Sequence, residues 1–174
     1  MIARRIPDES NDSVNLVVSL LVRHPELSRV IIKPRLASIA FFFVVRSTVP
    51  PKERADFRRS IADHVRALHA LARVNGAKLA VRLTAGKELS FVEFERDTKT
   101  LTRDEIALIV ALVAQSFGER LVVNPPADDV DEDDGGGRED VVGSALDAVR
   151  SGHQRKGLVG FREERRVLVY FGKA

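Results

Sequence analysis

The chain has 174 residues, of which 44 % are hydrophobic and 30 % charged, with a net charge of +3 and no cysteine. That length and apolar content suit one globular domain with a sizeable core rather than a disordered chain. The missing cysteine excludes disulfides, thiolate nucleophiles and cysteine-ligated zinc or iron–sulfur sites, and it fits a reducing compartment.

The N-terminus, Met1 to Pro7, carries Arg4 and Arg5 with no apolar run behind them, so it is not expected to act as a signal peptide. Val14, Leu16, Val17, Leu20 and Leu21 recur at helical spacing. They predict a first helix over 11–22, capped by Asn11, Asp12 or Ser13 and ended by His24-Pro25. Val30 to Ile32 reads as a short strand and Lys33-Pro34-Arg35 as a turn.

Ile39 to Val45 (IAFFFVV) is apolar on both faces. A half-buried strand would alternate, so this one is expected to be covered on both sides, by helices on one and by a further helix or a second subunit on the other. Phe41, Phe42 and Phe43 are therefore the candidate oligomer interface. The run is far short of the ~20 residues of a membrane span, and the protein is expected to be soluble and cytoplasmic, with no membrane partner.

Pro50-Pro51 precedes the longest predicted helix, 52–74, with an apolar stripe of Phe57, Ile61, Val65, Leu68 and Leu71 or Ala72. Asn75-Gly76 stops it. Lys78 to Thr84 alternates, with Leu79, Val81 and Leu83 inward, and 89–94 is its hairpin partner. Thr102 with Glu105 three residues on is a capping box, opening a helix with Ile106, Ile109, Val110, Val113 and Phe117 and ending at Gly118. Leu121 to Val123 reads as a strand. Residues 124–138 hold two prolines, six acids and three consecutive glycines, a composition that cannot bury a core. A last helix at 139–150 and a hairpin of 157–162 with 166–171 close the chain.

The repeated helix–strand–strand order predicts an α+β fold, a mainly antiparallel sheet with helices packed on it. The expected organisation is a core domain over 1–123, an acidic mobile linker over 124–138, and a C-terminal α-β-β unit over 139–174 on the same sheet or on a neighbouring subunit. Residues 127–140 carry a net charge of −7, so the remaining residues carry +10.

Few constellations suggest chemistry. His24 sits at a helix end, and His64 and His69 are five apart on one helix, a spacing that cannot share a metal. Glu93 and Glu95 fall on one strand face and are read as edge-strand charges. No phosphate loop, nucleophile elbow or metal-ligand cluster stands out, and no cofactor is implied. Two basic sets remain. One is the C-terminal cluster Arg150, His153, Arg155, Lys156, Arg162, Arg165 and Arg166, an anion or nucleic-acid patch. The other is a stripe along the long helix, Lys52, Arg59, Arg66 and Arg73, partly neutralised by Asp56 and Asp63. Aromatic residues make up 6 % of the chain, which argues against a stacking platform for single strands. The expected function is a non-catalytic, self-associating interaction or regulatory module, with itself or another protein as partner. The alternative is a nucleic-acid binder using the two basic sets, and a second alternative is an enzyme whose site forms only in three dimensions or across a dimer.

Overall fold

In a computed structural model, which describes residues 8–127, 141–151 and 156–172, a single antiparallel sheet of six strands organises the chain. The elements are α1 (Asp8–Arg23), β1 (Arg29–Lys33), β2 (Ser38–Val45), α2 (Pro51–Leu71), β3 (Leu79–Ala85), β4 (Ser90–Asp97), α3 (Arg103–Phe117), α4 (Val141–Ser151), β5 (Gly157–Glu163) and β6 (Arg166–Gly172). The strand order is β3-β4-β2-β1-β5-β6. The fold is α+β. β5 pairs with β1, so the C-terminal unit extends the same sheet.

One face of the sheet carries the core. Phe41 and Phe43 of β2 share that face with Val92 and Phe94 of β4 and with Val30 and Ile32 of β1, because the register places them opposite one another. Phe57 of α2 meets Phe94 edge-on, with centroids 6.2 Å apart, and Phe117 of α3 at 4.9 Å. On the other half of this face α1 crosses β5 at Gly160, where a Cβ would collide with Val17 and lie 3.1 Å from Leu21 Cδ1. Glycine is required there by close approach rather than by its φ. α4 packs on α1 in the same layer, burying Val142 and Leu146.

Several boundaries differ from the sequence reading, for local reasons. α1 begins a turn earlier, at Asp8, so Asn11 to Ser13 lie inside it. α2 ends at Leu71, and Arg73 takes the left-handed conformation (φ 54°), ahead of Asn75-Gly76. Leu71 is 85 % exposed and does not join the stripe of Phe57, Ile61 and Val65. Leu121 to Val123 forms no strand; Leu121 makes one isolated bridge to Val45. Thr102 caps α3 as expected, its hydroxyl accepting from the Glu105 amide at 3.2 Å. Residues 128–138, most of the expected linker, lie outside the described residues, as do Glu139 and Asp140. Among the described residues no helix is long and apolar enough to cross a membrane.

Candidate functional site

Strand alternation sends the other set of side chains to the side of the sheet away from the helices. There, Phe42 and Val44 of β2 are only partly buried, where cover on both sides was expected. Phe91 of β4 is 46 % exposed and Tyr170 of β6 is 55 % exposed. Ile31, Val159, Phe161 and Leu168 share this face through the β1–β2, β1–β5 and β5–β6 registers. The rings already have partners. The Arg29 guanidinium lies 4.4 Å from the Phe42 ring centre, and Phe161 stacks on Tyr170 with centroids 5.7 Å apart.

Lys33, Arg82, Glu93 and Glu95 pair with one another on this face. Arg82 Nη1 donates to Glu93 at 2.8 Å and reaches Glu95 at 3.4 Å. Lys33 Nζ and the Ser38 hydroxyl donate to Glu95 at 3.2 and 2.9 Å. Burial pushes the Glu95 carboxyl up, but Ser38, Lys33 and Arg82 together outweigh it and hold it below its ordinary value. β4 lies between β3 and β2, so Glu93 and Glu95 are not edge-strand charges; β3 and β6 are the edges.

A second feature lies where β1 turns into β2. A cavity of about 130 Å³ is lined by Ser13 of α1, Ile32 and Lys33 of β1, Pro34 and Ala37 of the turn, Ser38 of β2, Thr98 and Lys99 after β4, and Val149 and Arg150 of α4. Ala37 is left-handed (φ 46°, ψ 44°), and its carbonyl accepts from the Thr98 amide at 2.9 Å and hydroxyl at 3.1 Å. Arg150 Nε donates to the Thr98 carbonyl at 2.9 Å, its Nη1 to Asp147 at 2.6 Å and its Nη2 to the Leu101 carbonyl.

A third feature is a buried ionic cluster under α2 and α3. The side chain of Arg96 is 0 % exposed and that of Glu105 1 %. The guanidinium donates through Nε and Nη2 to the two Glu105 oxygens, through Nη1 to Asp97 and the Lys78 carbonyl (2.9 Å), and through Nη2 to Thr100 (3.1 Å). His69 Nε2 lies 2.9 Å from Glu105 Oε2. Burial pushes the Asp97 carboxyl up, but hydrogen bonds from the Lys78 amide and from Thr100, with Arg96 beside it, outweigh this and hold it at about 2. Sequence reading missed this cluster, although Arg96 shares strand parity with Val92 and Phe94.

The basic residues singled out from the sequence are spread over the molecule. Lys52, Arg59 and Arg66 lie exposed along α2 and Arg73 just beyond it, with Arg59 and Arg66 each paired to the acid three residues earlier, Asp56 and Asp63. Arg150 faces the cavity, Lys156 precedes β5, Arg165 lies in the hairpin turn, and Arg166 begins β6. Arg162 points into the helix-covered face, 9 % exposed, and its three guanidinium nitrogens have no hydrogen-bond partner among the described residues. Burial pushes that guanidinium down. His153 and Arg155 lie outside the described residues. His64 Nδ1 is 2.7 Å from the Ser60 carbonyl oxygen, and burial pushes His24 down against the opposing charge of Glu26. Of the candidate interface residues, Phe41 and Phe43 belong to the core and Phe42 alone faces the open side.

Comparison of the chain with protein-family models, with curated proteins and with solved structures finds no match.

Proposed function

We propose that the protein is a non-catalytic interaction module that self-associates through the open face of its sheet. The observation that carries this reading is a continuous apolar strip, Phe91, Phe42, Ile31, Phe161 and Tyr170, on the side away from the helices. Exposed apolar patches of this kind mark interaction sites. Six strands about 4.8 Å apart and roughly seven residues long at ~3.3 Å each span roughly 650 Å². Two copies face to face would bury about 1,300 Å², within the range of specific interfaces.

Charge favours a second copy over a polyanion. Arg29, Lys33, Arg82 and Arg166 are nearly balanced by Glu93, Glu95 and Glu163 on this face. Glu93 and Glu95 would repel phosphates, and the Phe161 and Tyr170 rings are stacked on each other rather than free for bases.

Sedimentation velocity at tens of micromolar should give about twice the chain mass of 19.3 kDa. Phe91→Lys and Tyr170→Lys, both at exposed positions, should return the protein to monomer with an unchanged circular dichroism spectrum. A folded wild-type monomer at these concentrations, or a dimer indifferent to both substitutions, refutes the reading. Binding of duplex nucleic acid at ~50 mM salt, weakening with added salt, would favour the nucleic-acid alternative instead.

A further inference from the structure

We infer that β6 is a strand-addition edge that pairs antiparallel with the β6 of a second copy, joining two sheets into one. β6 ends the strand order, and among the described residues only β5 pairs with it. The Arg162 amide donates to the Ser28 carbonyl at 3.1 Å, away from β6, so Arg162 and Val167 opposite it are a pair without mutual hydrogen bonds. Alternation then turns the backbone N–H and C=O groups of Val167, Val169 and Phe171 outward along the free edge. β6 (RVLVYFG) holds no proline and a single charge, at its first residue. Charged residues and proline are the usual guards of an exposed edge. The opposite edge has such a guard. β3 carries Arg82 at its middle, and full-length pairing of β3 with its copy would set the two Arg82 side chains side by side, which destabilises.

β6 is instead complementary to itself. Centred on Val169, the antiparallel register sets Val169 against Val169 of the second copy, Leu168 against Tyr170, Val167 against Phe171 and Arg166 against Gly172. No like charges meet, and aromatic and β-branched residues face one another, which favours pairing. The helix layer continues the match. α1 lies over β5 and β6. Its Ser13 lines the cavity with Val149 and Arg150 of α4, and its Val17 and Leu21 turn onto Gly160. Val14, Val18 and Val22 recur every fourth residue on the remaining flank, toward β6. All three are only partly buried, as are Val167 and Val169. The two-fold axis of such a pair stands perpendicular to the sheet, so both helix layers fall on one side and the two valine stripes approach each other. The open faces stay free on the other side, so edge pairing does not depend on the open-face contact. Seven residues at ~3.3 Å each make an edge about 23 Å long, a smaller contact than the face. Edge pairing should therefore fill at several hundred micromolar, above the tens of micromolar of the open-face dimer.

Phe91→Lys, on β4 and remote from β6, removes the open-face contact and isolates the edge. Sedimentation equilibrium of this full-length variant should show the mass rising from 19.3 kDa toward twice that value between tens and several hundred micromolar. Adding Val169→Pro, which removes an outward N–H and no bond to β5, should hold the mass at 19.3 kDa. A covalent test decides the matter even if the proline unfolds the chain. Opposed residues of a hydrogen-bonded antiparallel pair stand ~5.5 Å apart at Cα, a distance a disulfide spans. The chain has no cysteine of its own, so a single introduced thiol reports without background. Under mild oxidation Val169→Cys should cross-link about tenfold faster than Arg59→Cys on the exposed side of α2, because pairing raises the effective thiol concentration. The inference is overturned if Phe91→Lys stays monomeric over this range, if its association survives Val169→Pro, or if Val169→Cys cross-links no faster than Arg59→Cys. The wild-type mass at tens of micromolar reports on the open face alone, so failure of one contact is told apart from failure of the other.

Discussion

Replacing Glu105 by Gln tests whether the buried ionic cluster is held as the structure indicates. The substitution preserves shape but removes the charge that faces a guanidinium with 0 % exposure. Breaking one partner out of a buried pair costs about 3–5 kcal/mol, because the other charge stays buried and uncompensated. Asp97 still faces Nη1, and the Lys78 carbonyl and Thr100 still accept, so the lower end, ~3 kcal/mol, is expected. For a chain of this length that lowers the thermal midpoint by ~6–12 °C. Equilibrium urea unfolding should show a reduced midpoint with an unchanged slope, the mark of lost stability rather than a changed denatured state. The combined change Arg96→Met with Glu105→Leu removes both charges and should recover most of the loss, since apolar replacements of buried pairs are often neutral or better. A cost below ~1 kcal/mol for Glu105→Gln, or a double variant no more stable than the single one, would refute the reasoning.

Asp97 should give the protein an acid-side stability loss. Its folded value of about 2 lies below the ordinary 3.8, so its contribution is complete above pH ~4 and is lost as pH falls toward 2. That difference is worth roughly 2.5 kcal/mol, and Asp97→Asn should remove it from the pH dependence of urea midpoints; an unchanged profile would count against it. Arg162→Met should raise stability by ~1–4 kcal/mol, since it replaces a buried guanidinium that has no hydrogen-bond partner among the described residues by an apolar side chain. A loss of more than ~1 kcal/mol in urea unfolding would show that the charge is compensated in solution.

The amino-acid sequence by itself determined the elements whose signals are local. The stripe of Phe57, Ile61 and Val65 defined α2, alternation from Leu79 to Leu83 defined β3, and the Thr102 cap set the start of α3. Hydrogen-bond spacing and side-chain periodicity act over a few residues, so these features need no knowledge of the rest of the chain. Even so, the glutamate of the capping box is turned to another use: its carboxylate serves Arg96 and His69, a pairing that depends on β4 passing beneath α2 and α3. Tertiary structure alone decided the faces and the edges. The IAFFFVV run looks equally apolar on both sides, yet pairing with β1 and β4 assigns Phe41 and Phe43 to the core and leaves Phe42 outside under Arg29. The cavity at the β1–β2 turn is lined by Ser13, Lys33, Lys99 and Arg150, which no local pattern links. Strand order brings them together because β5 adds beside β1 and carries α4 onto α1, and that arrangement follows from burying apolar surface across distant parts of the chain.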